Sequence, residues 1–272
     1  MKNKKTKDKV VILLTATIDP RGMGLTKLTN PVTRENQYLD ALEFYLNETK
    51  LKIVFCENTG TNIYNKINSA EKDSRLEYLT FQGNNYDKSK GKGYGEAKII
   101  SYALKNSKFL EDCIYIIKIT GRIKVLNIND YIGTTEINEV NSSKDIWVDF
   151  FSEWYIISSV CFIIPKNILK YMIQKYENKV HDIAFCFEEM LYQSLLGYND
   201  IVIHPSRFKL KGICAGSNQE YMNISEIKHL GTNAYIMSII QNKRGYYFIS
   251  YIEMFKYFFY RGIEIITKLF HN

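Results

Sequence analysis

The stretch CIYIIKITGRIKVLN, residues 113–127, joins a short apolar run to a basic, hydroxylated turn. Apolar β-branched runs of this length predict a buried strand. Where the run ends, Lys118, Thr120, Gly121 and Arg122 place two cations, a hydroxyl and a bare backbone at one edge of a sheet. Ligands of open α/β sheets bind at that edge. We therefore expect this turn to meet an anionic group such as a diphosphate.

On both sides of this stretch, apolar runs alternate with segments of helical periodicity. Buried strands are predicted at residues 10–15, 51–56, 76–82, 145–151, 156–164 and 200–203. Helices are predicted at residues 34–46, 97–104, 167–176 and from residue 187 onward, and residues 128–143 are expected to be irregular. Alternating strands and helices are typical of an α/β fold.

The composition is that of a globular protein, because 46% of the 272 residues are apolar and 24% are charged. The net charge of +7 fits a Lys-rich background, an anionic membrane surface or an anionic substrate. The Lys residues are scattered and no nucleic-acid recognition motif is present, so nucleic acid is not an expected partner.

The five cysteines are far apart and include no Cys-x-x-Cys pair, so no zinc site is expected. An odd number of thiols in apolar runs is typical of a protein of the reducing cytoplasm. We expect no signal peptide, because the apolar run after the charged N-terminus is too short. We also expect no transmembrane helix, because no apolar stretch is long enough.

The C-terminal segment differs in character from the rest of the chain. Residues 246–270 are apolar and aromatic, with charged residues at helical intervals. This pattern predicts amphipathic helices that lie in a membrane interface, although a helix packed on its own domain would look similar. The composition changes near residue 230, which predicts a domain at residues 1–230 and an aromatic-rich helical tail at residues 231–272.

Small or polar residues follow the first two predicted strands. Thr15, Ala16 and Thr17 end the first strand, and Glu57 and Asn58 end the second. In α/β nucleotide-binding proteins such positions receive a phosphate, a ribose or a base edge. An ordinary turn after the first strand and a capping turn after the second are the alternatives.

A Gly- and Lys-rich segment precedes the helix predicted at residues 97–104. Its candidate ligand-binding residues are Lys92, Gly93, Gly95 and Glu96. Glycines let backbone amides approach an anion, and a helix N-terminus adds partial positive charge. The spacing is not that of a P-loop, and a flexible surface loop is the alternative.

Acidic residues form two later groups. Asp145 and Asp149 lie four apart in a predicted strand, which places them on the same face; a turn position for one of them is the alternative. The second group, around the start of the helix at residue 187, consists of His181, Asp182, Glu188 and Glu189. Its spacing matches no established metal site, and a capped helix with a solvated acidic turn is the alternative.

Together these segments resemble a GT-A-type, nucleotide-sugar-dependent glycosyltransferase of bacterial capsule or lipopolysaccharide biosynthesis. The resemblance extends from residue 10 to residue 217 and is carried by LLTATIDP, FCENTG, EYLTFQGN, GKGYGE, KITGR and FEEMLYQSL. It implies an open, twisted, mostly parallel sheet flanked by helices. It also implies a nucleotide-sugar donor and a glycan or lipid-linked acceptor. With the aromatic tail, it places the protein in the cytoplasm, on the inner face of the cell membrane.

The chain departs from this family after its central strand. GT-A enzymes usually carry an Asp-x-Asp there, which holds a divalent metal on the donor diphosphate, whereas this chain has Lys118 to Arg122. One interpretation is that the two cations replace the metal, since Arg binds phosphate bidentately and Lys as a point charge. The other is that Asp145 or Asp149 holds Mn²⁺ or Mg²⁺. We prefer the metal-independent interpretation.

The resemblance also implies roles for individual residues. Glu188 or Glu189, with Asp182 as a third candidate, would be the general base on the acceptor hydroxyl in an inverting displacement. Lys118, Arg122 and Lys92 would stabilise the leaving nucleoside diphosphate. The other donor-binding candidates are Thr15, Ala16, Thr17, Glu57, Asn58, Gly93, Gly95, Glu96, Thr120 and Gly121. The acceptor or metal candidates are Asp145, Asp149 and His181.

Two other functions fit the sequence. A nucleotidyl- or phosphotransferase would need a metal-binding carboxylate pair, for which the sequence offers Asp145 and Asp149. A peripheral membrane scaffold of polysaccharide assembly would keep the fold and the tail without catalysis.

Overall fold

The structure of the protein, a computed structural model, describes residues 9–68, 72–134, 146–151, 156–195, 201–202 and 208–221. Its strands are β1 (Val10–Ala16), β2 (Lys52–Glu57), β3 (Leu76–Thr80), β4 (Tyr115–Thr120), β5 (Lys124–Val125), β6 (Ile146–Phe151), β7 (Ile156–Pro165), β8 (Ile201–Val202) and β9 (Leu210–Lys211). Its α-helices are α1 (Pro31–Glu48), α2 (Lys72–Arg75), α3 (Gly91–Asn106), α4 (Lys108–Glu111), α5 (Ile128–Thr134), α6 (Lys166–Tyr176) and α7 (Phe187–Leu195). Short 3-10 helices cover Tyr64–Lys66, Lys88–Lys90 and Glu177–Lys179.

Seven of these strands form one sheet in the order β3-β2-β1-β4-β7-β6-β8, and β5 pairs with β9. Strands β3, β2, β1 and β4 run parallel, β7 is antiparallel to both of its neighbours, and β8 is parallel to β6. Helices flank the sheet. The predicted α/β fold, with an open and mostly parallel sheet, is therefore confirmed.

The central strand β1 is buried on both faces, as the continuous apolar run VVILL predicts. Val11 and Leu13 pack toward α3, α6 and α7, whereas Ile12 and Leu14 pack toward α1. Strand β4 lies beside β1 with Thr15 opposite Thr120. The carboxyl ends of these two buried strands therefore meet at one edge of the sheet.

Two helices begin earlier than the sequence pattern predicts. α1 begins at Pro31 rather than at residue 34, because the Asn30 side chain caps its first turn and Pro fits the first helical position. α3 begins at Gly91 rather than at Ala97. The glycines that were expected to form a loop before this helix thus form its first turn.

Two other segments differ from prediction. Residues 128–134, expected to be irregular, form α5. Leu210–Lys211, where no strand is predicted from the sequence, pairs with β5 as β9. This pairing draws the later part of the chain toward the turn that follows β4.

Some predictions fall outside the described part of the chain. Asp145 and the tail at residues 231–272 are not among the described residues, and Asp149 is described only as a backbone position of β6. The division at residue 230 stays a prediction. The five cysteines all lie in the described ranges, and none of them forms a disulfide bond. Among the described helices, none is both long enough and apolar enough to span a bilayer.

Candidate active site

A cavity of about 920 Å³ lies at the carboxyl ends of β1 and β4, the sheet edge at which ligands of this fold class bind. Its walls are the loop after β1, the first turn of α3, the turn after β4, part of β7, the start of α7 and a hairpin at residues 212–221. The candidate residues that line it are Thr15, Thr17, Lys92, Gly93, Gly95, Glu96, Thr120, Arg122, Asp182 and Glu188. The described candidates outside its lining are Ala16, Glu57, Asn58, Lys118, Gly121, His181 and Glu189.

Lys118 is fully buried beneath the cavity, with 0% of its side chain exposed. Its ammonium forms an ion pair with Glu96 and donates to the main-chain carbonyl of Ser159. The rings of Phe162 and Phe187 lie 5.6 and 5.8 Å from the nitrogen. A buried charge needs such partners. The positive charge of Lys118 is therefore balanced within the protein, and it does not face the cavity.

Glu96 connects this buried lysine to the cavity. It projects from α3, and its carboxylate accepts a hydrogen bond from the Thr15 hydroxyl (3.0 Å) in addition to its ion pair with Lys118. Its side chain is 21% exposed. Glu96 thus joins the end of β1, the first turns of α3 and the centre of β4.

Arg122 differs from Lys118 because it borders the cavity. It is 7% exposed, and its guanidinium donates to the Ile213 carbonyl of the hairpin at residues 212–221. Ile213 is its single hydrogen-bond partner among the described residues. A guanidinium has five N–H donors, so Arg122 can bind an anion in the cavity while it holds the hairpin.

The hairpin at residues 212–221 forms the outer wall of the cavity. Besides the contact from Arg122, the Ala215 carbonyl accepts hydrogen bonds from the amides of Lys27 (2.8 Å) and Leu28 (3.2 Å). Its lining residues include Cys214 and Tyr221. Two distant parts of the chain, the loop after β1 and the turn after β4, therefore fix this wall.

The start of α3 is occupied by a carboxylate of the protein itself. The two oxygens of Asp182 accept the amide hydrogens of Lys92 (2.9 Å) and Gly93 (2.8 Å). Gly91 adopts φ +83°, and a Cβ at either glycine would collide with Asp182. The glycines admit this side chain to the helix terminus, where its charge is favourable. The sequence predicts a ligand anion at this position, and the structure places Asp182 there instead.

Lys92 still contributes to the cavity through its side chain. It is exposed, and a Cβ on Gly216 would lie 3.3 Å from the Lys92 ammonium nitrogen. The ammonium therefore lies beside the hairpin. Among the described residues, Lys92 and Arg122 are lining cations with several donor groups available, whereas Arg34, which also lines the cavity, uses most of its donors within the protein.

The structure separates the adjacent acidic residues at the start of α7. Glu188 lines the cavity and accepts a hydrogen bond of 2.5 Å from the Ser159 hydroxyl. Glu189 bonds Gln193 on its own helix (2.8 Å) and lies outside the lining. His181 accepts the Ile183 amide hydrogen with Nδ1 (3.2 Å) in the preceding turn. Of these three side chains, Glu188 is the one that lines the cavity.

Glu57 lies outside the cavity lining and binds amides of two loops. Its carboxylate is fully buried and accepts amide hydrogens from Ile18 (3.2 Å), Thr59 (2.9 Å) and Thr61 (3.0 Å). It thereby ties the loop after β1 to the loop after β2. The neighbouring Asn58 is buried, and its side-chain amide has no hydrogen-bond partner among the described residues.

Sequence reasoning missed several residues of the site. Arg34, on α1, is buried and donates to the carbonyls of Thr17 (2.8 Å) and Leu28 (3.1 Å), which shapes the loop after β1. Its position four residues before Tyr38, on the apolar face, was the available signal. For Ser159, the available signal was a hydroxyl-bearing residue within an otherwise apolar predicted strand.

A divalent metal is implied by the resemblance to GT-A enzymes. Among the residues that the structure describes, no three His, Cys, Asp or Glu side chains come close enough to hold a metal ion. The place of the expected carboxylates, after β4, holds a basic turn. The described residues therefore form no such group, and Asp145 and the Asp149 side chain, which the metal-dependent interpretation uses, lie outside what the structure describes.

No family model matches the sequence, and no curated protein is significantly similar to it. Solved structures are similar at low identity. The galactosyltransferase LgtC, in complex with donor and acceptor sugar analogs, has a TM-score of 0.46 and 10% identity, over 71% of this chain and 72% of LgtC. TarS of S. aureus in complex with UDP-GlcNAc has a TM-score of 0.44 and 10% identity, over 85% of this chain and 66% of that one.

A nucleotidyltransferase is similar to the same degree. A cytidylyltransferase from Leptospira borgpetersenii has a TM-score of 0.42 and 13% identity, over 88% of this chain and 99% of that one. At such scores and identities, the similarity assigns no activity to this chain.

Proposed function

We propose that the protein is a glycosyltransferase that uses a nucleotide-sugar donor, with its reaction centre in the cavity between β1, β4 and α7. The observation that carries the proposal is the meeting of one suitably placed carboxylate, Glu188, with two available cations, Arg122 and Lys92, in one cavity. A volume of about 920 Å³ is within the range of small-molecule sites. The resemblance of the sequence to GT-A enzymes agrees with this choice.

The proposed reaction is a single displacement at the anomeric carbon of the donor. Glu188 takes the proton of the acceptor hydroxyl, and the acceptor oxygen forms a bond to the anomeric carbon. The bond from that carbon to the diphosphate oxygen breaks, and its electron pair leaves with the nucleoside diphosphate. The configuration at the carbon is inverted. A positioned base contributes about 10²–10⁴-fold to such a step.

Arg122 and Lys92 would stabilise the charge that develops on the leaving diphosphate. Fixed cations aimed at developing charge are an effective form of catalysis in a partly enclosed site. Lys118 has no direct part in this, because its ammonium is paired with Glu96 and the Ser159 carbonyl. The proposed reaction needs no metal. The residues Thr15, Thr17 and Thr120 line the donor side of the cavity.

The acceptor that we propose is a glycan or lipid-linked glycan of the capsule or lipopolysaccharide type, met at the inner face of the cell membrane. The support is the aromatic, amphipathic pattern of residues 246–270 and the net charge of +7. Cell fractionation of a chain truncated at residue 240 tests the membrane part. We expect the truncated chain in the soluble fraction, and its retention on membranes would contradict the proposal.

The reaction is tested with purified full-length protein and a panel of UDP-glucose, UDP-N-acetylglucosamine, GDP-mannose and dTDP-rhamnose. Release of nucleoside diphosphate and calorimetric binding of each nucleotide are measured, with and without EDTA. We expect one nucleotide to bind and its sugar donor to be turned over in EDTA. If no nucleotide binds, the proposal is wrong.

Two matched variants assign the base. Glu188→Gln should lower turnover by about 10²–10⁴-fold and leave nucleotide binding intact. Glu189→Gln makes the same change at the adjacent position, outside the cavity, and should keep normal turnover. The opposite pattern would show that the base is assigned to the wrong residue.

A further inference from the structure

Ser159 lies in β7 and contacts two charged groups of the site. Its main-chain carbonyl accepts a hydrogen bond from the buried Lys118 ammonium. Its hydroxyl donates to the carboxylate of Glu188 over 2.5 Å. One residue therefore joins the lysine below the cavity to the carboxylate that lines it.

These contacts belong to a continuous polar chain across the cavity floor. The Thr15 hydroxyl donates to Glu96, Glu96 pairs with Lys118, and Lys118 bonds the Ser159 carbonyl. The Ser159 hydroxyl then bonds Glu188. The chain starts at the end of β1 and ends at the first turn of α7, so it spans the donor and acceptor sides of the cavity.

The anchoring of this chain is rigid at its centre. Lys118 is fully buried, between the rings of Phe162 and Phe187. A buried ammonium cannot give up a partner without a large free-energy penalty. The hydrogen bond from Lys118 holds the main chain of Ser159 in place. The Ser159 hydroxyl therefore bonds Glu188 from a fixed position.

A thiol lies near the same carboxylate. Burial raises the pKa of the Cys186 thiol, and the nearby Glu188 carboxylate raises it further. Ser159 differs because it comes from the sheet, and among the described residues it is the one that bonds both Glu188 and Lys118.

We infer that Ser159 is a positioning residue, which fixes the Glu188 carboxylate toward the acceptor hydroxyl. The inference rests on the proposed function, in which Glu188 is the general base. A carboxylate at the half-buried start of a helix still has several accessible rotamers. A short hydrogen bond from a residue anchored through Lys118 selects one of them, and catalysis depends on such geometry.

The experiment measures kcat and KM for the donor that the panel identifies, in four variants of the full-length protein. Ser159→Ala should lower kcat by about 10- to 100-fold, the value of a hydrogen bond to a charged group, with the donor KM and nucleotide affinity unchanged. Ser159→Thr keeps the hydroxyl in a residue that suits a strand, and should retain most of the activity.

Ser158→Ala is the matched control, because Ser158 is the adjacent buried hydroxyl of β7 and bonds the Val160 amide (3.3 Å) instead of Glu188. It should keep normal kcat. The fourth variant combines Ser159→Ala with Glu188→Gln. If Ser159 acts through Glu188, the double variant is no slower than Glu188→Gln alone, since the two changes remove one function.

Each contrary result has a distinct meaning. Additive losses in the double variant, a rise in donor KM with unchanged kcat, or an equal loss in Ser158→Ala would overturn the positioning role. Normal turnover in Glu188→Gln would instead overturn the assignment of Glu188 as the general base, whatever the result for Ser159→Ala.

Discussion

The cavity is bordered by two segments that carry cationic or amide donor groups, the start of α3 and the turn after β4. At the start of α3, the positive end of the helix is taken by Asp182, which accepts the amide hydrogens of Lys92 and Gly93. In the turn after β4, the charge of Lys118 is taken by Glu96, but Arg122 remains open to the cavity. The sequence predicts anion binding at both segments. They differ in which positively charged groups the fold leaves free to contact a ligand.

This difference shows that a cation or a helix terminus binds a ligand only if the protein does not already use it. Glycines at the start of a helix permit close approach of an anion, and here the anion is a side chain. The ligand-binding role therefore moves from the Gly-rich segment to the side chains of Arg122 and Lys92. Substitutions that remove each charge separately test the comparison.

The largest effect is expected from Lys118→Met, measured as the free energy of unfolding in urea. The substitution leaves Glu96 without its ion pair in a mostly buried position. Loss of one partner of a fully buried pair costs about 3–5 kcal/mol. Because Glu96 is 21% exposed, water can compensate in part, and we expect about 2–3 kcal/mol.

A double-mutant cycle separates the ion pair from the loss of packing. Lys118→Met combined with Glu96→Gln removes both charges and should recover part of the lost stability. If Lys118→Met unfolds at the same urea concentration as the natural protein, Lys118 is not a structural cation. Its charge would then be available to a ligand, and the contrast with Arg122 would disappear.

The next effect concerns nucleotide affinity. Arg122→Ala should weaken binding of the nucleotide identified by the panel by about 10- to 100-fold, the value of a charge-assisted contact. The affinity of Arg122→Lys should lie between those of the natural protein and Arg122→Ala, because lysine keeps the charge and lacks the planar guanidinium. Isothermal calorimetry provides the measurement.

Lys124→Ala is the control for Arg122→Ala. Lys124 is two residues away and pairs with Asp40 (2.6 Å) outside the cavity lining. The same change in net charge should leave the affinity unaltered. Equal weakening in both variants would show that net charge, rather than a contact from Arg122, attracts the nucleotide.

The fold was predictable because its signals are local. The run VVILL, residues 10–14, is apolar without interruption, which predicts a strand buried on both faces, and β1 is such a strand. The ends of the apolar runs also predict which residues end β1 and β4. The sequence therefore places Thr15, Thr17, Thr120 and Arg122 at one edge of the sheet, and the structure agrees.

The contacts that give the site its chemistry are not local. Asp182 reaches Gly93 across 89 residues, and Arg122 reaches Ile213 across 91. No spacing within a single segment encodes such pairs. Glu188 and Glu189 are adjacent and chemically equivalent, and only the packing of α7 against β7 decides which one faces the cavity. The tertiary fold decides these roles, so the sequence alone leaves them open.

The smallest effect is expected from Asp182→Asn, which removes the charge at the start of α3 and keeps one acceptor. The favourable interaction of a carboxylate with a helix N-terminus contributes about 1 kcal/mol, and the free energy of unfolding should fall by that amount. Nucleotide affinity should stay nearly constant, because the proposed diphosphate contacts come from Arg122 and Lys92.

Asp87→Asn is the matched control, since Asp87 caps the preceding 3-10 helix through the Ser89 amide (2.9 Å) and lies outside the cavity lining. A clear gain in nucleotide affinity in Asp182→Asn alone would mean that the diphosphate competes with Asp182 for the amides of α3. The start of that helix would then be the donor site after all.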